Sequence, residues 1–362
     1  MKKLLLLVLI SILISCNQDN ETISYMVNGK IEGISSGNAY VEYSGFRDTT
    51  EIRDGKFKFT GNLRKPEMCK IKIAGCENHA EFYLENSKIN LLGHIDSLDK
   101  AIITGSKTED ENKAYHKIVA GYERKFKNIE NEYRTADDKR KIELENLYEK
   151  TDREMVDAQK QFIKDNTTSY LCIAILKDID WSFESGKIYN EYISLLDTSL
   201  HKYDELVSLK EQVARMEQVD VGKTAPDFEI SDLNGENVKL SDKYSDTKYL
   251  LLDFWASTCG PCRKENKNIL EAYKKYHDQG FDVFGVSTDT RKELWLNAIE
   301  KDGLPWTNTC NLKKWNHNEL VKTYALRQVS ANFLLDHSGK IIASNLRGDG
   351  LNTKLSELLR NE

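Results

Sequence analysis

Leu250-Leu251-Leu252-Asp253-Phe254-Trp255-Ala256 is an apolar run broken by a single carboxylate, and through Ser257-Thr258 it enters Cys259-Gly260-Pro261-Cys262, where helical spacing begins. A run without polar alternation reads as a strand covered on both faces. A strand that turns within a few residues into C-x-x-C at a helix start commits its surroundings to an α/β unit. At such a helix start the Cys259 thiol lies beside backbone N–H groups that lack helical partners and at the positive end of the helix dipole, both of which favour thiolate over thiol. Cys262, one turn further on, is expected to be the more buried of the two and to attack a mixed disulfide formed on Cys259. Their spacing is short enough for an internal disulfide, and Gly260-Pro261 fixes its turn.

The chain is longer than one domain needs, at 362 residues of which 40% are hydrophobic and 30% charged, so several folded units are expected. Its 52 basic and 58 acidic residues leave a net charge of −6, with no basic excess to neutralise phosphates, which argues against a nucleic-acid partner. Beyond the N-terminus no apolar run reaches the length of a membrane span. Met1-Lys2-Lys3, the apolar stretch from Leu4 to Ile14 and Ser15-Cys16 read as an export signal. Leu13-Ile14-Ser15-Cys16 resembles the lipobox of bacterial lipoproteins, which implies cleavage before Cys16 and acylation of its thiol. Residues 1–15 are then the signal peptide and 16–24 a polar tether. The rest of the chain is expected outside the cytoplasm, anchored by lipid to the bacterial cell envelope and facing the periplasm, an oxidising compartment.

Three regions follow. From 25 to 106, short β-rich runs are separated by turn residues, and Asp54-Gly55 is a two-residue hairpin signal, so a small antiparallel β domain is expected. Its Val27-Asn28-Gly29-Lys30-Ile31, Asp54-Gly55-Lys56-Phe57 and Phe82-Tyr83-Leu84-Glu85-Asn86 strings resemble a domain of unknown function often fused in front of thioredoxin modules. From 107 to 218 the chain is α-helical in pattern, lying within a stretch without proline between Pro66 and Pro226. Tyr115, Val119, Tyr122, Phe126, Ile129 and Tyr133 repeat at steps of four and three, as do Leu144, Tyr148, Thr151, Met155, Ala158 and Phe162. Two antiparallel helices packed along these stripes are expected, with the aromatic residues serving as core rather than as a ligand groove. From 219 to 362, β runs alternate with helical stretches, the pattern of an α/β domain. Of the seven cysteines only Cys259 and Cys262 are spaced as a functional pair; Cys69 and Cys76 could bridge neighbouring strands but read as small buried thiols.

Asp253-Phe254-Trp255-Ala256 with Cys259-Gly260-Pro261-Cys262 resembles thioredoxin. The wider set of Ala225-Pro226-Asp227-Phe228, Leu240-Ser241-Asp242, Gly285-Val286-Ser287, Asn332-Phe333-Leu334-Leu335-Asp336 and Gly339-Lys340-Ile341 is similar to the exported, membrane-anchored thiol-disulfide reductases of the TlpA-like group. The resemblance implies that Cys259 is the nucleophile and Cys262 the resolving thiol. It also implies that Asp253 is a buried acid with a raised pKa, suited to moving a proton to or from Cys262. Glu265 matches a glutamate that relatives place beside the disulfide, although on the first helical turn it could equally face solvent. Trp255 and Pro261 are expected to wall the site. The family's cis-proline position falls on Ser330, which leaves the substrate loop at Val329-Ser330 without proline and expected trans, since a cis bond there costs about 2.5–4 kcal/mol. Ser330→Pro is accordingly expected to raise turnover on generic disulfides, provided the fold accepts a cis bond. Lys267 and Thr258 replace a family proline and tryptophan without removing a reacting group.

The function implied is a lipid-anchored thiol-disulfide oxidoreductase that reduces disulfides of exported client proteins, drawing electrons from a membrane thiol donor and needing no cofactor beyond the Cys259-Cys262 couple. Two alternatives stand beside it. A thiol peroxidase needs a threonine three residues before its reactive cysteine, where this chain has Ala256. A non-catalytic binding lipoprotein on a thioredoxin scaffold has no need to keep both cysteines and Asp253. Zinc held by Cys259, Cys262, Cys310 and His317 is disfavoured, because the interval from Cys262 to Cys310 fits neither finger nor ribbon spacing.

Overall fold

A computed structural model describes residues 24–179 and 185–360. Cys16 and the signal-like segment lie outside the described residues. The chain divides into two compact units, Met1–His116 and Lys117–Glu362. Among the described residues no helix is long and apolar enough to cross a membrane.

The first unit is one sheet of eight strands: β1 (Tyr25–Glu32), β2 (Ser36–Tyr43), β3 (Phe46–Arg53), β4 (Lys56–Gly61), β5 (Glu67–Ile73), β6 (His79–Leu84), β7 (Lys88–His94) and β8 (Ile102–Thr104). Their order is β6-β5-β2-β3-β4-β1-β7-β8, antiparallel throughout except for the parallel pair β1 and β7. The β3–β4 turn places Asp54 at φ 49° and Gly55 at φ 69°, the positive dihedrals a two-residue hairpin requires. Alternate residues such as Val27, Val41, Phe59, Ile71, Phe82 and Ile89 bury one face. Cys69 is buried and Cys76 half-buried, and both are free thiols.

The second unit combines helices with an α/β layer. Here α1 (Lys107–Tyr133), whose residues from Lys117 onward belong to this unit, and α2 (Asp138–Asp165) form a hairpin, with Asp137 capping α2 by accepting the Arg140 N–H at 2.8 Å. The rings of Phe126 and Tyr148 meet at 4.7 Å, and Lys125 pairs with Glu154 at 3.1 Å. Val119, Ile129, Leu144, Thr151 and Phe162 are buried as core. The stripe does not stay core to its end: Tyr133 is 37% exposed and Tyr148 44%. Periodicity fixes which side chains share the stripe, but not how much of Tyr133 and Tyr148 stays open to solvent. Three shorter helices follow, α3 (Leu171–Asp178), α4 (Gly186–Leu195) and α5 (Asp204–Glu217).

Beyond them come the ribbon β9 (Glu229–Ser231) and β10 (Asn237–Lys239), then α6 (Leu240–Ser245), β11 (Tyr249–Trp255), α7 (Gly260–Tyr276), β12 (Phe281–Ser287), α8 (Lys292–Asp302), β13 (Thr307–Cys310), α9 (Glu319–Thr323), β14 (Ala331–Asp336), β15 (Ile341–Ser344) and α10 (Asp349–Arg360). The mixed sheet has the order β13-β12-β11-β14-β15, with β11, β12 and β13 parallel and the other two antiparallel. Being central, β11 is buried on both faces. Leu250, Leu252 and Phe254 enter one core with Phe333 and Tyr324, whereas Leu251 and Trp255 enter the other with Ile269 and Cys262 of α7. Strand alternation therefore directs Asp253 to the α7 face. The architecture is thus an N-terminal β unit, a helical region and a C-terminal thioredoxin-like α/β layer.

Candidate active site

The dithiol sits where β11 gives way to α7. Cys259 is the residue that caps α7, and its Sγ accepts the Cys262 N–H at 3.1 Å. No acidic residue occupies the first turn of α7, so the positive end of the helix dipole is not offset there. Cys259 and Cys262 are joined as a disulfide, their Cα atoms 5.3 Å apart. Cys259 is half-buried and Cys262 only 2% exposed, so an incoming disulfide can reach the first sulfur and not the second.

Two acids far off in sequence hold the turn before the dithiol. Asp289 accepts the Ser257 N–H at 2.8 Å, the Ser257 hydroxyl at 2.7 Å and the Ser287 hydroxyl at 2.7 Å. Arg263 donates to the Ser257 carbonyl at 3.1 Å and makes a two-point ion pair with Asp302, which also accepts from Asn266 at 2.9 Å. Such charge-assisted pairs fix geometry as well as adding energy. Sequence reasoning missed Asp289, Arg263 and Asp302, for no local pattern links them.

Asp253 is 4% exposed, and burial pushes its pKa up to about 7; the Arg347 cation pulls against that rise and the Glu265 carboxylate adds to it. An acid so placed can both take and give a proton near neutrality. Glu265 does not face solvent: it is buried, both oxygens accept the Gly348 N–H at 3.1 and 3.2 Å, and Asn268 donates to it at 3.0 Å. Trp255 is 1% exposed and shares its core with Cys262, with no hydrogen-bond partner for its indole N–H. Pro261 is exposed on the first turn of α7.

The Val329-Ser330 loop is trans, as expected, and adds a positive φ that the sequence did not foretell. Val329 and Cys259 are both half-buried and pack against the same core. Ser330 adopts φ 70°, and its N–H donates to the Phe254 carbonyl of β11 at 2.9 Å. Its hydroxyl accepts from Arg347. Every described peptide bond is trans, Val329–Ser330 included. Proline would lack that N–H and is locked near φ −65°, so the loop in this form does not fit the Ser330→Pro substitution. Arg347 reaches this loop because Asn332, opposite Asp253 in the β11–β14 register, holds Leu346 through bonds of 2.8 and 2.9 Å to its N–H and carbonyl. The sequence signal was a lone buried asparagine inside an apolar strand.

A pH test follows from Asp253. Unfolded, its carboxyl ionises near pH 3.8; folded, it holds its proton to about pH 7. The native state thus binds more protons across that window, and stability falls as pH rises through it. Asp253→Asn, which never ionises, is expected to flatten that decline and to raise the melting midpoint at pH 8 relative to the parent, with little change at pH 4. Equal shifts at both values would remove the buried-acid assignment.

Among the described residues no three His, Cys, Asp or Glu side chains gather as a metal site. Cys310 is a free thiol in the same core as Cys262, and burial raises its pKa away from thiolate.

Comparison with known proteins bears on this geometry. Residues 221–344 match the AhpC/TSA family, and residues 25–112 match a domain of unknown function, DUF4369. The thiol-disulfide oxidoreductase ResA of Bacillus cereus is 29% identical over 147 residues, 41% of this chain and 81% of that protein. ResA of Geobacillus thermodenitrificans is 31% identical over 123 residues, 34% of this chain and 67% of that protein. Among solved structures, the thioredoxin domain of a thiol-disulfide oxidoreductase from Bacteroides vulgatus is 37% identical, covering 39% of this chain and 98% of its own, with a TM-score of 0.36. A thiol:disulfide interchange protein from Bacteroides sp. is 36% identical, covering 40% and 92%, with a TM-score of 0.35.

Proposed function

The chain belongs to the thiol-disulfide oxidoreductases of the ResA and TlpA-like kind, and from that premise we propose that it is a lipid-anchored reductase of disulfides in exported client proteins. The observation that carries the reading is the asymmetry of the pair: a half-buried Cys259 at the start of α7 and a buried Cys262 behind it, with a buried carboxyl on the adjoining strand. In the reduced enzyme the Cys259 thiolate attacks one sulfur of a client disulfide, forming a Cys259–client bond and releasing a client thiolate that takes up a proton. Cys262 then gives its proton to ionised Asp253 and attacks Cys259 Sγ, which closes the Cys259–Cys262 disulfide and expels the second client sulfur as a thiolate that takes up a proton from water. Two electrons pass to the client, and the enzyme leaves oxidised. Glu265 and Arg347 act through Asp253 as positioning and tuning groups. Ser330 and Val329 form the rim that a client chain crosses.

Gly260-Pro261 between the cysteines favours the reducing direction, by resemblance to reducing relatives. Regeneration then requires a membrane thiol donor, since the site lies outside the cytoplasm under this reading. The anchor rests on Leu13-to-Cys16. Mass spectrometry of membrane-bound protein should find an acylated N-terminal Cys16, and an unmodified Cys16 there would remove the anchor.

The AhpC/TSA match also favours a thiol peroxidase, but the position that would orient peroxide holds Ala256. Reduction of insulin separates the readings. The pre-reduced protein is expected to cleave about one insulin disulfide per dithiol and to consume hydrogen peroxide no faster than a Cys259→Ser variant. Peroxide turnover without insulin reduction would reverse the choice, and neither activity would leave a binding scaffold.

A further inference from the structure

Past residue 112 the α1–α2 hairpin lies outside both family matches, yet its far end stands beside the dithiol. Lys264, two residues past Cys262, pairs with Glu145 of α2 at 2.7 Å, and the Tyr133 hydroxyl donates to the same carboxylate at 2.9 Å. Under this bridge opens a groove of about 630 Å³, walled by Ile129, Tyr133, Leu144 and Tyr148 on one side and by Gly260-Pro261 on the other. Tyr133 and Tyr148 belong to the same stripes as buried Ile129 and Leu144 but remain 37% and 44% exposed. The core seam therefore continues as open apolar surface up to the residues between the two cysteines.

That continuity identifies the occupant. A client disulfide that meets Cys259 carries its chain past Gly260-Pro261, so residues flanking the client cysteine lie at the mouth of the groove. The rim adds a charge preference: three carboxylates, Glu130, Glu145 and Glu149, line it against the two cations Arg134 and Lys264, and Lys264 is engaged by Glu145. We propose that the hairpin is the specificity arm of the enzyme, and that its groove takes an extended client segment with a large apolar side chain and a basic residue next to the reactive cysteine. The proposal rests on the oxidoreductase reading above. Large exposed apolar surfaces beside a reacting centre mark binding sites more often than accidents.

The test compares disulfide-bridged peptides in which the residues beside cysteine are Leu-Phe-Lys, Ser-Gly-Ser or Leu-Phe-Glu, with oxidised glutathione as a disulfide too small to fill the groove. The full chain is expected to favour the Leu-Phe-Lys peptide over Ser-Gly-Ser by about tenfold in kcat/KM, equal to 1.4 kcal/mol. Tyr133→Ser/Tyr148→Ser should collapse that ratio through KM while glutathione disulfide is still reduced. Glu130→Lys/Glu149→Lys should reverse the Lys-over-Glu preference. Ile142→Ser, on an exposed part of α2 away from the groove, should leave the ratio in place. The proposal is overturned if the parent does not discriminate, if the tyrosine variant slows every substrate alike, or if that variant converts a dimer to a monomer in sedimentation, since a second copy would then be the occupant. Failure of the parent to reduce even glutathione disulfide would sink the oxidoreductase reading itself.

Discussion

Cys262→Ser is expected to stop multiple turnover, by about 10³-fold or more, while leaving a client covalently held on Cys259. The N–H that supports the Cys259 sulfur at 3.1 Å comes from the main chain of residue 262, so the substitution keeps the activation of the nucleophile and removes only the second thiol. Attack proceeds and resolution does not. Cys259→Ser should yield no adduct, because the other described thiols are poorly placed to substitute: Cys69, Cys172 and Cys310 are buried, burial holds the Cys69 and Cys310 thiols away from ionisation, and half-buried Cys76 follows strand β5 rather than starting a helix. Trapped species resolved by non-reducing electrophoresis, with the linkage mapped by mass spectrometry, provide the readout. Adducts on Cys310, or unimpaired turnover of the serine variant, would overturn the division of roles.

Ser330→Pro is expected to destabilise the second unit by about 2–4 kcal/mol. Roughly 1 kcal/mol comes from the lost bond to the Phe254 carbonyl, and roughly 1–3 from forcing proline where φ is 70°. For a unit of this size the thermal midpoint should fall by about 4–16 °C. Ser330→Gly separates the two causes, because glycine accepts positive φ and keeps the N–H, losing only the hydroxyl that Arg347 holds. It should stay within about 1 kcal/mol of the parent. A proline variant as stable as the parent and faster on generic disulfides would mean that the loop rearranges readily, contrary to its tie to β11.

These two expectations mark where the sequence was legible and where it was not. The β11–Cys259–α7 junction was readable because each part is local: an apolar run, a cysteine pair and a helix start. Even the face that Asp253 occupies follows from counting alternate residues. What escaped depends on contacts between distant segments. The parallel pairing of β1 with β7 joins strands more than fifty residues apart, and the short strand β8 lacks a run long enough to announce itself. Asp289 and Asp302, which hold the turn before the dithiol, read alone as ordinary surface acids. Ser330 could be recognised as a missing proline, but a serine carries no mark of positive φ, and only the structure shows its N–H in use. The helical stripes were correctly placed on one face of each helix, yet burial is a property of what lies opposite, and opposite Tyr133 and Tyr148 is the open groove beside Pro261.

The oxidoreductase reading requires that Cys259 and Cys262 cycle as a redox couple rather than serve as a structural staple. The most direct measurement is a redox titration in dithiothreitol buffers, with the state of each cysteine read by differential alkylation and mass spectrometry. One two-electron transition shared by Cys259 and Cys262 is expected, of slope about 30 mV per decade, at a potential well above the −300 mV or so below which structural disulfides lie. Cys69, Cys76, Cys172 and Cys310 should remain thiols throughout. A Cys259–Cys262 bond that stays closed below that potential, or opens only when the protein unfolds, would contradict it.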